Sequence, residues 1–417
     1  MGGVRPDAVA SDGTATAQRL VRVSGTDRPG ITAAVLEALA AADVTLHEMD
    51  QLVVRGKLTL DLLVAGDATA DLDALLGPLA TGLDVRLDVE PAPDPADTPN
   101  VGPRALVTVI APRLTAAALA AVTGAIAAAG ANIARIVRLA HRPVCAFEFR
   151  VSGGDPAGLR EVLLEAAASH GVDVAVQPER LERRAKRLVL LDVDSTLIRD
   201  EVIELIADEV GRGDEVAAIT ARAMAGELDF EASLRARVAL LAGADLAALE
   251  RAAARVRLTP GARTLVATLR RLGYTVAVVS GGFDHVVAPI AAALGIDHAV
   301  ANRLEVVDGR LTGGLVGPVL DRSGKARELR RIAELERVPL EQTVAIGDGA
   351  NDLDMIAAAG LGVAFNAKPV VRAAADTSVN VPRLDAILFL LGIPADEIVL
   401  DPDDDEPSAA PAGCQEP

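Results

Sequence analysis

An unusual number of carboxylates follows a short apolar run in the middle of the chain. The segment VLLDVDSTLIRDE, residues 189–201, carries Asp192 and Asp194 directly after its apolar residues and Glu201 at its end. Like charges at close range repel, and buried carboxylates cost free energy unless a cation pairs with them. The segment is therefore either a solvated surface edge or one wall of a site that binds a cation.

Further polar groups are predicted at the ends of two later strands and near the start of one helix. In open α/β sheets ligands bind at the carboxyl ends of the strands, so these groups would meet Asp192 and Asp194 in one pocket. Each motif alone has an ordinary explanation, such as a capped turn, a loop or a solvated lysine, but their order and context together favour a site. The groups are Ser280 and Gly281 after YTVAVVS, Asp348, Asn351 and Asp352 after TVAIGD, and Lys325 in DRSGKARELRRI.

This inventory suits phosphoryl transfer to a carboxylate. A hard cation such as Mg²⁺ takes oxygen ligands and would relieve the repulsion between Asp192 and Asp348. One aspartate could then attack phosphorus and form an aspartyl-phosphate, while a second protonates the leaving oxygen and afterwards activates water. Ser280, Lys325 and nearby backbone N–H groups would hold the phosphoryl oxygens as charge develops.

The segments DVDST, VSGG and GDGAND, with the sequence around Lys325, resemble the four motifs of the haloacid dehalogenase superfamily. Residues 188 to about 392 more narrowly resemble its phosphoserine phosphatase family. The resemblance implies Asp192 as the nucleophile and Asp194 as the general acid and base. It also implies Mg²⁺ as the cofactor and O-phospho-L-serine as the substrate, which would yield L-serine and phosphate in the last step of serine biosynthesis.

The same resemblance extends to the other residues of the site. It implies that Mg²⁺ is bound by Asp192, Asp348 and the backbone carbonyl of Asp194. Asp352 would support the metal site through water or indirect contacts. The residues implied in phosphate binding are Ser280, Gly281, Lys325 and Asn351.

Substrate choice is expected to depend on an Ala-, Glu- and Arg-rich helical insertion after the first strand, at about 200–258. Phosphoserine has an ammonium and a carboxylate besides its phosphate. Glu201 can pair with the ammonium, and Arg237 can grip the carboxylate through two parallel hydrogen bonds. Met224 and Phe230 would exclude water around them. The alternative is that Glu201 and Arg237 are ordinary charges on solvated helices, but both match substrate-binding positions of the resembled family.

Two copies of the order βαββαβ precede this region, as the strand and helix periodicities indicate. They span residues 17–90 and 104–180 and are separated by a Pro-rich linker at 91–103. The segments AADVTLHEMDQLV and AAGANIARIVRLA align by eye between the two copies. An internal repeat with this order predicts two similar, ferredoxin-like domains.

Both copies resemble ACT domains, which are small-molecule sensors common in amino-acid metabolism. The first copy carries GTDRPGIT, where Asp27 lies between strand and helix and Gly30 would let a ligand approach the helix N-terminus. The second copy has APRLTAA at that place and lacks the Asp and the Gly, although its Asn132 fits a loop facing a domain interface. The resemblance implies that an amino acid, such as the product L-serine, binds between ACT domains. The alternative is that both copies serve only dimerisation.

Composition and charge exclude several other classes of protein. The 417 residues carry a formal net charge of −18, which argues against binding nucleic acid. The two cysteines form no disulfide framework or metal motif, which fits a reducing cytosol. The most apolar helical run, at 114–131, is mostly alanine and flanked by strand signals, so it predicts a core helix rather than a membrane span. We therefore expect a cytoplasmic protein that binds neither nucleic acid nor a membrane.

The predicted architecture is an α/β phosphatase domain at 186–393, behind two ferredoxin-like ACT domains. Its haloacid dehalogenase-like core would be a doubly wound parallel sheet with a helical cap insertion. A disordered leader at 1–16 and an acidic disordered tail at 394–417 would flank these domains. The favoured hypothesis is a Mg²⁺-dependent phosphoserine phosphatase that forms a homodimer. Two alternatives remain: a phosphatase or phosphotransferase acting on another small phosphate ester, and an amino-acid-sensing regulator with an inactive phosphatase domain.

Overall fold

The structure is a computed structural model that describes most of the chain. The described residues are 18–42, 44–66, 71–92, 103–179, 185–224 and 227–404. The predicted leader, most of the predicted linker and the end of the predicted tail lie outside them. The chain divides into two compact units, Met1–Thr98 and Pro99–Pro417.

The first unit is a four-stranded antiparallel sheet with two helices, the βαββαβ order that the sequence predicts. Its elements are β1 (Gln18–Thr26), α1 (Ile31–Ala41), β2 (Thr45–Val54), β3 (Lys57–Ala65), α2 (Leu72–Gly82) and β4 (Val85–Pro91). The strands lie in the order β2-β3-β1-β4. Alternate leucines of β3 and every fourth apolar residue of α1 are buried in one cluster, because the periods of strand and helix place them on facing surfaces.

The second repeat has the same order and opens the second unit. Its elements are β5 (Arg104–Ala111), α3 (Ala116–Ala128), β6 (Asn132–Ala140), β7 (Cys145–Ser152), α4 (Pro156–His170) and β8 (Asp173–Pro178). As predicted, the alanine-rich run forms a core helix, and Ala118, Val122 and Ile126 are its buried residues. Of the helices in the described ranges, none is long and apolar enough to cross a membrane.

The rest of the second unit is a mainly parallel sheet with helices. Its elements are β9 (Leu188–Leu191), α5 (Val202–Glu209), α6 (Gly213–Met224), α7 (Phe230–Ala239), α8 (Leu246–Arg255), α9 (Ala262–Arg271), β10 (Thr275–Phe283), α10 (Asp284–Leu294), β11 (His298–Val307), β12 (Arg310–Val316), α11 (Arg322–Leu335), β13 (Thr343–Gly347), α12 (Leu353–Ala358), β14 (Leu361–Phe365), α13 (Pro369–Ala374), β15 (Thr377–Val379) and α14 (Ile387–Leu390). The strands lie in the order β12-β11-β10-β9-β13-β14-β15, with β12 antiparallel to β11. Helices α5–α8, called the cap below, are the insertion after the first strand.

Strand β9 is buried on both faces, as its continuous apolar run predicts. Leu188 and Leu190 belong to one apolar cluster, which includes residues of α11. Val189 and Leu191 belong to a second cluster on the other face, which includes residues of α9. Helices therefore cover both faces of the sheet, and the predicted α/β class with a doubly wound sheet is confirmed.

The second repeat and the phosphatase region share one 11-stranded sheet, which the sequence does not predict. Strand β8 pairs with β15 through Ala175 and Thr377. Beside this pair the buried carboxylate of Asp173 accepts hydrogen bonds from the backbone N–H and side-chain amide of Asn380, both at 2.7 Å. The N–H of Val381 donates to it at 3.2 Å. In two separate domains β8 and β15 would be edge strands with unpaired backbone groups, and here these edges meet each other.

The predicted disorder of the tail is wrong for residues 394–404, which lie against α9. The N–H of Val399 donates to the Thr268 hydroxyl at 3.0 Å. The carboxylate of Asp404 is largely buried and accepts a hydrogen bond from the backbone N–H of Thr264. Asp404 thus satisfies a donor in the first turn of α9 that has no partner within the helix. One of the acidic residues on which the prediction of disorder was based, Asp404, therefore caps a helix.

Candidate active site

Asp192 lies directly after β9, at the carboxyl end of a central strand. Its backbone N–H donates to the carbonyl of Ile346 in β13 at 2.9 Å, so the sheet still fixes the backbone at this point. The residue is 2% exposed, and its Oδ1 accepts a hydrogen bond from the N–H of Val193 at 2.7 Å. The first carboxylate of the motif is therefore held in a nearly dry position at the edge of the sheet.

A tight turn after β9 orients Asp194. Ser195 has a φ of 58°, which is in the left-handed region, and it reverses the chain direction within this turn. Oδ1 of Asp194 accepts from the N–H of Val202 at 2.8 Å. Oδ2 accepts from the hydroxyl of Ser280 at 2.9 Å, which joins the turn after β9 to the carboxyl end of β10. Both carboxylate oxygens are thus fixed by groups that the fold brings from elsewhere.

Lys325 is a buried cation in the first turn of α11. The side chain of Asp321 caps this helix by accepting from the N–H of Gly324 at 2.7 Å. The Lys325 ammonium is 2.7 Å from Oδ1 of Asp192 and 2.7 Å from Oδ1 of Asp352. The lysine that the sequence assigns to phosphate binding therefore bridges two carboxylates.

The segment after β13 adds two carboxylates to the same place. Oδ1 of Asp348 accepts from the hydroxyl of Thr196 at 3.3 Å. Asp352 is fully buried, and its Oδ2 accepts from the N–H of Gly349 at 3.0 Å. Carboxylate oxygens of Asp192, Asp348 and Asp352 all lie within 4.8 Å of one another. The strand-end groups predicted to converge do converge.

Burial shifts the ionisation of these groups. It raises the pKa of Asp192 well above the ordinary value, with repulsion from Asp352 adding to the effect. Burial also raises the pKa of Asp194, and burial with repulsion from Asp352 raises the pKa of Asp348 to about 6. Burial alone would lower the pKa of Lys325, but the charges of Asp192 and Asp352 outweigh it and raise the pKa. The cluster holds more negative charge than this ammonium neutralises.

The donor set fits a hard divalent cation. Clustered carboxylate oxygens with uncompensated charge are the ligands that such a cation takes, and its charge would offset their repulsion. Both oxygens of Asp352 already have partners, Lys325 and Gly349. Direct contact with a cation therefore falls more readily to Asp192 and Asp348, while Asp352 orients its neighbours.

A cavity of about 510 Å³ opens between the edge of the sheet and the cap. One side, called the sheet wall below, is formed by the carboxyl end of β10 and by the segments after β9, β13 and β14. The other side, called the cap wall, is formed by Glu201 and by residues of α6 and α7. The sheet wall includes Asp192, Asp194, Gly281, Asp348, Asn351 and Lys368, and the cap wall includes Glu201, Phe230, Ser233, Leu234 and Arg237.

Two opposite charges lie on the cap wall. Oε1 of Glu201 accepts from the Ser195 hydroxyl at 2.9 Å. Although Glu201 opens onto the cavity, protein surrounds most of it, and this burial together with the charge of Asp194 raises its pKa to about 7. Burial lowers the pKa of Arg237, and the charge of Glu201 partly offsets this effect. The pair matches the ammonium and carboxylate of an amino acid.

The two walls approach each other at Phe230 and Gly281. A Cβ at position 281 would lie 3.2 Å from Cζ of Phe230, a tight contact that would press on the ring, so the glycine leaves room for it. Met224 is the last residue of α6, and its side chain lies outside the described part of the chain. The aromatic ring therefore lies against the carboxyl end of β10 and lines the cavity, and its role in excluding water stays a prediction.

The residues predicted for regulation are not among those that line this cavity. Asp27 is exposed, and Gly30 has a φ of 94° and precedes α1 with no atom within 4 Å of where a Cβ would stand. Both belong to the first unit, whereas Asn132 begins β6 in the second. The left-handed Gly30 and the open space beside it are compatible with the approach of a ligand. The regulatory role of all three residues stays a prediction.

Sequence reasoning missed four polar residues of the cavity, Thr220, Ser233, Arg322 and Lys368. The hydroxyl of Ser233 is buried and has no hydrogen-bond partner within the described residues. Ser233 lies one helical turn before Arg237, which is a signal that helical spacing offers. Lys368 follows the predicted strand LGVAF, and the preference of ligands for strand carboxyl ends would have identified it.

Comparisons with known proteins agree with this geometry. Residues 189–357 match the haloacid dehalogenase-like hydrolase family, and residues 18–90 and 105–177 each match an ACT domain. A phosphoserine phosphatase of Streptomyces coelicolor is 55% identical over 91% of this chain and 93% of its own length. A phosphoserine phosphatase of Mycobacterium tuberculosis is 46% identical over 91% of this chain and 94% of its own length.

Two solved structures share a large part of the fold. A haloacid dehalogenase family hydrolase from Salmonella enterica serovar Typhi covers 69% of this chain and 98% of its own, with 29% identity and a TM-score of 0.61. The unliganded form of a probable phosphoserine phosphatase from Vibrio cholerae covers 69% of this chain and 86% of its own, with 35% identity and a TM-score of 0.57.

Proposed function

The chain belongs to the phosphoserine phosphatases among the haloacid dehalogenase-like hydrolases, and from this premise we propose that it hydrolyses O-phospho-L-serine to L-serine and phosphate. One observation carries the proposal. A single cavity joins a buried carboxylate beside a lysine, Asp192 with Lys325, to the opposite charges of Glu201 and Arg237. The first pair suits phosphoryl transfer, and the second suits an amino acid.

Asp192 is the nucleophile of the first step. The contacts with Val193 and Lys325 both fall on Oδ1, which leaves Oδ2 to attack phosphorus. The Oδ2–phosphorus bond forms as the bond from phosphorus to the serine oxygen breaks. Asp194, oriented by Val202 and Ser280, gives its proton to the departing serine oxygen. The products of this step are L-serine and an aspartyl-phosphate.

The second step hydrolyses the aspartyl-phosphate. Asp194, now ionised, takes a proton from water as the water oxygen bonds to phosphorus. The bond between phosphorus and Oδ2 of Asp192 breaks, which releases phosphate and restores both aspartates. Ser280, Gly281, Lys325 and Asn351 hold the phosphoryl oxygens in both steps.

Mg²⁺ is the proposed cation, held by Asp192, Asp348 and the backbone carbonyl of Asp194 with support from Asp352. When bound, it supplies positive charge that offsets the charge of the phosphoryl oxygens. Lys325 opposes the rise in the pKa of Asp192 and orients its carboxylate from the buried side. Removing the divalent cation with a chelator should abolish turnover, and adding Mg²⁺ back should restore it.

The cap wall supplies the preference for phosphoserine. Glu201 pairs with the substrate ammonium, and Arg237 binds its carboxylate through two parallel hydrogen bonds. Phe230 and Met224 exclude water around these charges, which strengthens both contacts. Serine phosphate is thus bound at both ends, whereas an ester lacking either charged group leaves a half-buried charge without a partner.

The ACT domains are proposed to regulate this activity by binding an amino acid, with L-serine as the proposed ligand and Asp27, Gly30 and Asn132 near it. A homodimer formed through ACT domains and a cytoplasmic location complete the proposal. Gly30→Ala should weaken the response to serine with less effect on turnover, since a side chain is strained at its φ of 94° and would crowd a ligand. An unchanged serine response would remove this loop from the regulatory site.

The first experiment is phosphate release by the purified full chain with Mg²⁺. O-phospho-L-serine would be compared with a panel of other small phosphate esters, with the folded Asp192→Asn variant as the blank. Strong preference for phosphoserine is the expected result. Activity spread over other esters would keep the aspartyl-phosphate mechanism and discard the substrate. Inactivity on all esters would favour a sensor with an inactive phosphatase domain.

A further inference from the structure

Lys368 lines the cavity at the carboxyl end of β14 and has no role in the mechanism described above. Strands β10, β9, β13 and β14 are neighbours in this order and parallel to one another. Their carboxyl ends therefore lie side by side and bring Ser280, Asp192, Asp348 and Lys368 to one edge. Lys368 stands on the Asp348 side of the site, away from Ser280.

The local backbone holds Lys368 in place while leaving its side chain exposed. Asn366 has a φ of 45°, a left-handed turn directly after β14. Lys368 is the N-cap of α13, and its carbonyl accepts from the N–H groups of Val371 and Arg372 at 3.0 and 3.1 Å. The position of the residue is therefore fixed by the fold, and its four-carbon side chain can reach over the open side of the cavity.

Two other cations at or beside the cavity, Lys325 and Arg322, are already committed to carboxylates, and Arg237 is assigned to the substrate carboxylate. Lys325 bridges Asp192 and Asp352. Arg322 is 2.5 Å from Asp354. The ammonium of Lys368 has no ion pair or hydrogen bond within the residues that the structure describes. It is therefore available to an anion that enters from solvent.

The rarity of lysine in this chain also favours an anion-binding role for Lys368. Only four of its 41 basic residues are lysines. Lys325 and Lys368 both belong to this site, Lys186 is buried and donates to the carbonyl of Glu341, and Lys57 begins β3. Arginine offers a planar fork, whereas lysine offers a compact point charge on a flexible chain, which is a common binder of phosphate. A lysine at the cavity of a chain that elsewhere uses arginine fits that need.

We propose that Lys368 binds the phosphate group of the arriving substrate, and the inorganic phosphate that departs, at the open side of the cavity. The inference rests on the proposed function and adds a substrate-binding residue to it. The proposed contact is with a phosphate group that is present in the bound substrate as well as during the reaction, so it lowers KM rather than raising kcat. The same contact strengthens inhibition by product phosphate.

Two variants and one matched control test the role. Lys368→Gln removes the charge, Lys368→Arg keeps it, and Arg271→Gln removes an exposed charge at the amino end of β10, at the opposite edge of the sheet. In the holoenzyme, Lys368→Gln should raise KM for phosphoserine and the inhibition constant of inorganic phosphate together, each by about threefold to tenfold. Its kcat should stay within about twofold of the wild type, and Lys368→Arg should recover much of the loss.

Binding of inorganic phosphate to the Mg²⁺-loaded chain, measured by calorimetry, tests the role without turnover. Weaker phosphate binding in Lys368→Gln but not in Arg271→Gln supports the assignment even if phosphoserine proves not to be the substrate. Unchanged phosphate affinity in Lys368→Gln overturns it, whatever the substrate. Equal losses in Lys368→Gln and Arg271→Gln also overturn it, because net charge rather than a contact would then explain both.

Discussion

The two walls of the cavity hold their charges in different ways. On the sheet wall the charged groups of the catalytic cluster are bound to one another or to neighbouring hydrogen-bond donors, and Lys368 is the exception: Lys325 bridges Asp192 and Asp352, and Asp194 is fixed by Val202 and Ser280. On the cap wall Glu201 and Arg237 face the cavity from a turn and a helix, and both are only partly covered. Apart from Lys368, the charges of the sheet wall have partners within the protein, whereas the charges of the cap wall are left for a ligand to satisfy.

This difference assigns catalysis to the fixed groups of the sheet wall and substrate selection to the cap wall. Groups that are fixed before the substrate arrives need no reorganisation as charge develops, which is how a preorganised site accelerates a reaction. Groups whose partners are absent until the substrate arrives select the substrate that supplies them. Changes to the fixed groups of the sheet wall should therefore lower kcat, whereas changes on the cap wall, like a change of the exposed Lys368, should mainly raise KM.

Loss of the nucleophile on the sheet wall has the largest expected effect. Asp192→Asn keeps the shape of the side chain but removes the attacking carboxylate, so kcat should fall by roughly four orders of magnitude or more. Far-UV circular dichroism should show that the fold persists. Substantial activity in a preparation free of wild-type enzyme would end the assignment of Asp192 as the nucleophile.

Loss of the buried cation comes next. Lys325→Ala removes the partner of Asp192 and Asp352, so kcat should fall by roughly a hundredfold to a thousandfold. The melting temperature should also fall, because two buried carboxylates lose their compensating charge. Lys325→Arg, which keeps the charge in a different shape, is the control for the melting temperature. Normal kcat in Lys325→Ala would contradict the claim that the sheet wall is preorganised around this lysine.

On the cap wall, Arg237→Lys should raise KM for phosphoserine by about tenfold with kcat within a few-fold of the wild type, because lysine cannot make the two-pronged contact. Arg235→Lys is the matched control, since Arg235 lies on the same helix and pairs with Glu231 at the surface. The KM for phosphoethanolamine, which lacks the carboxylate, should be the same in Arg237→Lys and in the wild type. A fall in kcat alone would place Arg237 in the chemistry instead.

The pH dependence of KM should identify Glu201. Burial raises its pKa to about 7, so in the free enzyme it gains a proton and loses its charge as the pH falls through about 7. KM for phosphoserine should therefore rise as the pH falls below about 7. Glu201→Gln should have a high KM throughout and lose this rise.

The substrate phosphate also titrates near pH 6, so the control is an ester without an ammonium, which contains the phosphate titration alone. Glu201 would have no part in binding the ammonium if that ester showed the same rise, or if Glu201→Gln retained it.

Loss of the Ser233 hydroxyl on the cap wall has the smallest expected effect on KM and on the melting temperature. Its buried hydroxyl has no partner within the described protein, so Ser233→Ala should leave the melting temperature unchanged or slightly raised. If the hydroxyl binds the substrate beside Arg237, KM should rise by about twofold to fivefold. An unchanged KM would limit the recognition surface of α7 to Phe230 and Arg237.

Much of the site could be predicted because its residues follow local patterns. A buried strand is an apolar run, and the residues at its carboxyl end are read directly from the sequence, which is how Asp192, Ser280 and Asp348 were found. The repeats were found from periodicity in the same way. Lys368 obeys the same strand-end rule after LGVAF, whereas Ser233 was less visible because a serine inside a helix carries no distinctive pattern.

Residue order along the chain was sufficient to indicate the two repeats, the parallel sheet with its cap, and the set of groups at the strand ends. Folding in three dimensions was needed to pair Lys325 with Asp192 and Asp352, to join β8 to β15 in one sheet, and to place Asp404 at the start of α9. The physical reason is the range of the interactions. Strand and helix patterns arise between near neighbours, whereas the partner of a buried charge or an open strand edge is chosen by packing between segments far apart in the chain.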